Sequence, residues 1–148
     1  MSQYNHYDSF DISTNATVFE FISAGPKGEI KKIIQFSETK AKHIFNLAFG
    51  NVNADGSIDD VTTNDNKDRD KILATVAAVI YDFTKRYPEN YVFFTGSSAE
   101  RTRLYRMALT INYEELAETF DIWGLQEEIG FEVFEKNRSY TGFLIRKK

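Results

Sequence analysis

One stretch does most to limit what this chain can become: "KDRDKILATVAAVIYDFTKRYP", residues 67–88. Wound at about 100° per residue, Ile72, Val76, Val79, Ile80, Phe83 and Tyr87 fall on one arc, which predicts an amphipathic helix with one face to bury. Asp68 and Asp70 stand near its positive N-terminal end, and Lys85 and Arg86 complement the other end. Pro88 stops it, because a proline there cannot continue the ladder. Such a helix needs an apolar surface to cover, and the flanking runs are of strand type.

Upstream, "TVFEFISAGPKGEIKKIIQF" holds two β-type runs around Gly25-Pro26-Lys27-Gly28. Proline presets the turn dihedral and the glycines permit positive φ, so this predicts a β-hairpin. Ile30, Ile34 and Phe36 share one face of its second arm, interrupted by Lys32. "HIFNLAFGNV" alternates Phe45, Leu47 and Phe49 against Asn46 and Ala48, a further half-buried strand. Asp55-Gly56 offers a turn before "SIDDVTT". Downstream come a strand in "NYVFFTG", a second helix from about Ser98 to Thr119, and shorter strands around "FEVFEKN" and "YTGFLIRK". Winding the second helix predicts a core stripe of Leu104, Met107, Ala108 and Ile111. The order predicts an α+β fold: a mainly antiparallel sheet with two amphipathic helices packed on it. A 15% aromatic content agrees with substantial sheet. At 148 residues, one globular domain over 1–148 is expected.

Composition narrows the chemistry. The chain has no cysteine, so disulfides, thiolate metal sites and thiol nucleophiles are excluded, and a reducing cytoplasm suits it. The opening "MSQYNHYDSFDIS" lacks a basic region followed by an apolar core, so no secretory signal is expected. No apolar run approaches the roughly 20 residues a membrane span needs. The net charge of −4 argues against a dominant nucleic-acid footprint. The charge is uneven, however: "DGSIDDVTTNDNKDRD" is acidic, while "ERTRLYR" and the tail "RKK" are basic.

The segments "FEFISAGPKGEIKKIIQF", "FNLAFG", "GSIDD", "KILATVAAVIYDF" and "TGSSAERTRLYRM", in that order, resemble a family of short bacterial proteins of unknown function. The similarity runs from about Val18 to Arg146, and the arginine motif is its most distinctive part. The resemblance implies a bacterial, cytoplasmic, stand-alone domain and transfers no catalytic residue.

The candidate site is that arginine motif. Thr95-Gly96-Ser97-Ser98 breaks an apolar run, and a helix with Arg101, Arg103 and Arg106 follows at once. Ser97 and Glu100 have the spacing of a capping box. A helix start offers free N–H groups to a phosphate or carboxylate. Gly96 would let such a ligand approach the backbone, and Arg101 could add a guanidinium fork. Against this, a capping box occupies two of those donors. Winding also sends Arg103 and Arg106 to one side and Arg101 toward the core edge, so a capped helix with solvated arginines explains the same residues.

Other motifs carry less. "NVNADGSIDDVT" overlays in part on a calcium loop, through Asn51, Asn53, Asp55 and Asp59. Thr62 stands where the bidentate glutamate belongs, so a hairpin turn is preferred and no metal is expected. Neither His6 nor His43 has a carboxylate at a motif spacing, and adjacent Asp59 and Asp60 would point to opposite faces of a strand. No phosphate-binding or dinucleotide loop is present, so no cofactor is expected. Lys31, Lys32, Lys40, Lys42, Arg138, Arg146, Lys147 and Lys148 could extend a basic patch, but neighbours on strands face opposite ways and nucleic acid is not favoured. The expectation is a cytoplasmic binding or interaction module that engages a protein partner or an anionic small molecule at the 95–106 corner. The alternative is a small RNA- or nucleotide-directed enzyme resembling a toxin–antitoxin effector. A homo-oligomer joined through sheet edges is a third reading.

Overall fold

The computed structural model describes residues 5–59, 66–96 and 98–148. Its elements are β1 (Phe10–Asp11), β2 (Val18–Gly25), β3 (Gly28–Glu38), β4 (Ile44–Val52), β5 (Ile58–Asp59), α1 (Arg69–Arg86), β6 (Tyr91–Phe94), α2 (Ala99–Ile111), α3 (Tyr113–Thr119), β7 (Phe120–Gln126), β8 (Gly130–Val133) and β9 (Gly142–Lys147). The strands form one sheet in the order β1-β2-β3-β4-β6-β9-β7-β8, with β5 paired to β4. Every pairing is antiparallel except β4 with β6. That exception has a cause: two parallel strands need a crossover, and α1 is the crossover between these two. The architecture is α+β.

The hairpin between β2 and β3 turns on Pro26-Lys27, with Gly28 at φ 89°. Cross-strand partners share a face, so Phe19, Ile34 and Phe49 form one row and Phe21, Lys32 and Asn51 the next. The first row and Phe21 pack under α1. Phe83, fully buried on α1, stacks on Phe36 with centroids 4.0 Å apart and meets Phe45 edge-on at 5.3 Å. The aromatic richness read from the sequence is therefore spent in the core.

The C-terminal half departs from the sequence reading in three ways. The expected second helix is two helices, broken at Asn112. The Asn112 side chain donates to the Ala108 carbonyl at 2.8 Å, competing for an acceptor the helix backbone uses, and asparagine favours such local bonds over helix propagation. The buried stripe of α2 is Thr102, Tyr105 and Leu109, not the predicted one; Met107 and Ile111 are exposed. Tyr105 decides the rotation, because its ring meets Phe94 edge-on at 5.4 Å and holds α2 to the end of β6. Finally, "FDIWGLQ", which has no clean alternation to announce it, forms β7 in the interior of the sheet between β9 and β8.

Gly124 shows why β7 tolerates no larger residue there. A Cβ at this position would stand 2.4 Å from the ring of Tyr140, which lies flat over the strand. Gly124→Ala is expected to lower stability by about 1–3 kcal/mol, the usual cost of overpacking. Urea denaturation checks this; an unchanged midpoint would show that the ring moves aside freely.

Candidate functional site

The corner after β6 is built by hydrogen bonds that converge on Thr102. The Gly96 amide donates to Thr102 Oγ1 at 3.1 Å, and that hydroxyl donates to the Ser98 carbonyl at 3.0 Å. Ser98, in an extended conformation, is the N-cap: its Oγ accepts from the Arg101 amide at 3.2 Å. The cap is therefore Ser98 rather than the predicted Ser97, which lies outside the described residues. Gly96 is required for a reason other than the one expected. A Cβ there would stand 2.3 Å from the Thr102 nitrogen, so the space it leaves open is taken by the first turn of α2. Thr95 donates its hydroxyl to the Thr141 carbonyl at 2.6 Å, tying the corner to the segment before β9.

Between these segments lies an open hollow of about 550 Å³. Gly96, Ser98 and Thr102 form one wall, and Ser139, Tyr140 and Thr141 the other. Arg103 and Arg106 line it as well. They sit three residues apart on one helix face, the spacing at which helical side chains are neighbours. No carboxylate lines the hollow among the described residues, and neither arginine forms an ion pair there. Arg101 does not join them. Its charge acts instead on the Lys32 ammonium, which is 6% exposed and donates to Asn51 Oδ1 at 2.5 Å. Burial, reinforced by Arg101, pushes the Lys32 ammonium below its usual range. The structure thus brings Gly96, Ser98, Arg103 and Arg106 together, places Thr95 beside them, and separates Arg101.

Sequence reasoning missed Thr102, Ser139, Tyr140 and Thr141. Nothing local links "SYTG" to the arginine motif; the register of β6 with β9, Phe94 opposite Phe143, does so. Tyr140 anchors that wall. Its hydroxyl donates to Glu132 Oε2 at 3.0 Å and accepts from the Glu135 amide at 3.0 Å. Arg138 holds both glutamates, at 2.6 and 2.9 Å.

Burial, aided by the bond to Glu132, raises the Tyr140 phenol above its ordinary value of 10.0. The stability linked to this shift is fully present below pH 10 and is lost as pH climbs through the folded-state value, because the unfolded phenol ionises first. Tyr7, raised by burial and its bond to Asp68, acts in the same direction, whereas lowered Lys32 gains stability as pH rises toward 10.5. Tyr140→Phe is expected to flatten the alkaline fall in unfolding free energy, measured by urea titrations at successive pH. An unchanged slope would refute the coupling.

A second network closes the other end of α1. Tyr7 and Ser23 hydroxyls both donate to Asp68 Oδ2, at 2.6 and 2.5 Å, and buried Asn66 donates to Ser23 Oγ at 3.1 Å. Asp68, read from the sequence as a dipole partner, is thus also the acceptor that pins the N-terminal segment to β2. At the stretch that overlays in part on a calcium loop, Asp55 Oδ1 accepts from the Ser57 amide and hydroxyl at 3.0 and 2.6 Å, and Gly56 takes φ 87° in the turn between β4 and β5.

The fold and the corner define the class: an α+β protein whose described helices pack on the sheet and whose arginine motif opens onto a hollow. The chain belongs to the Family of unknown function (DUF6934), whose model matches residues 3–148. Neither the comparison with curated proteins nor that with solved structures returns a match. No described helix is long and apolar enough to cross a membrane.

Proposed function

We propose that the protein is a cytoplasmic binding module that captures an anionic group, a phosphate or carboxylate, in the hollow at the 95–106 corner. The observation that carries this reading is Arg103 and Arg106 lining one hollow with serine and threonine hydroxyls and no described carboxylate. Guanidinium forks bind oxyanions through charge-assisted hydrogen bonds, and the Ser98 and Ser139 hydroxyls add donors that rotate to suit. The adjoining start of α2 contributes a partial positive charge. The cysteine-free composition suits a reducing compartment.

Titration of the full chain with inorganic phosphate, followed by backbone amide NMR, tests it. Saturable shifts are expected at Gly96, Ala99, Arg103, Arg106 and Thr141. Shifts confined elsewhere, or none, would remove the proposal. The RNA- or nucleotide-directed alternative gains no support from the comparisons.

A further inference from the structure

β8, four residues long, ends the sheet on one side and carries no lysine, no proline and no charge aimed outward. Ile129, Phe131 and Val133 are 74%, 48% and 66% exposed. Phe131 and Val133 pair with Leu125 and Trp123 on the sheet face that bears Phe93, away from α1 and α2. The intervening charge, Glu132, points to the helix side, where Arg138 and Tyr140 neutralise it.

The direction of the backbone groups follows from the ladder. The Phe134 amide donates inward to the Ile122 carbonyl, so Glu132 and Gly130 also face β7. Phe131 and Val133 therefore present their N–H and C=O groups to the open edge. We infer that β8 pairs antiparallel with β8 of a second copy of this chain, about a two-fold axis at Phe131, joining two sheets into one.

The register selects itself. Centred on Phe131, the pairing sets Phe131 opposite its symmetry mate and the turn residue Ile129 opposite Val133, so exposed apolar residues meet exposed apolar residues. Glu132 then lies opposite Gly130, where no side chain opposes it. Centring on Glu132 would instead set like charges directly opposite, which is destabilising. The chosen register also carries the acidic turn Glu127-Glu128 toward the other copy's 135–138 turn, where Lys136 and Arg138 exceed Glu135 by one charge; within that copy Lys136 is also held by Glu114 and Arg138 by Glu132. Glu135 in that turn is already held by Arg138. Such a surface is isologous, the commonest way soluble chains assemble.

Light scattering of the full chain across micromolar to sub-millimolar concentration is expected to give twice the 17.1 kDa monomer mass. Val133→Lys, at an exposed position, is expected to return it to the monomer with an unchanged far-ultraviolet circular dichroism spectrum. Because the chain has no cysteine, single additions report register. Oxidised F131C is expected to cross-link into a covalent dimer, since paired residues here lie about 5.5 Å apart at Cα. I129C/V133C should cross-link likewise, while V133C alone should not. A monomer at every concentration, a dimer indifferent to V133K, or V133C linking as readily as F131C would each overturn the inference.

Discussion

Replacing both Arg103 and Arg106 with alanine is expected to weaken phosphate binding about a hundredfold or more. Each charge-assisted bond lost contributes about 1.5–3 kcal/mol, and about 1.4 kcal/mol corresponds to a tenfold change. The melting temperature should stay close to the parent value, because Arg103 is exposed and neither side chain makes an ion pair among the described residues. Binding by the parent should also weaken with added salt, since the hollow is open and screening acts within about 10 Å at 0.1 M. Arg146→Ala is the matched control. That guanidinium lies over the Tyr91 ring at 5.2 Å, on the other face of the sheet, and its loss should leave affinity unchanged. Isothermal titration with phosphate decides the matter: equal affinities in all three proteins would place the anion elsewhere.

The second large effect concerns the core between α1 and the sheet. Phe83→Ala should lower the unfolding free energy by about 3–5 kcal/mol, the range for truncating a buried aromatic. Phe83 has no exposed surface and meets Phe36, Phe45 and Tyr87, residues from β3, β4 and the end of α1. Its removal leaves a void where helix and sheet meet. A loss below about 1 kcal/mol, by denaturant titration, would mean that the surrounding rings collapse into the space.

The two largest sequence signals held because they are local. The periodicity of residues 69–86, closed by Pro88, and the Gly-Pro-Lys-Gly turn each depend on neighbours a few positions away. The break at Asn112 and the strand in "FDIWGLQ" escaped a reading of the sequence for the opposite reason. The first comes from a polar residue whose side chain bonds back to the helix, and the second from an irregular pattern made regular by strands on both sides. The arginine motif was legible as three cations beside a helix start. Its division into a pair on the hollow and Arg101 beside Lys32 was half legible, from winding alone.

Residue order by itself determined the α+β class, the long helix and the hairpin turns, because these follow from backbone dihedrals and helical geometry. Tertiary structure alone decided that Ser139–Thr141 stands opposite Arg103 and Arg106, that β8 lies at the rim, and that Lys32 is buried. Those facts rest on which strands pair, and pairing is governed by side-chain burial summed across residues far apart in the chain.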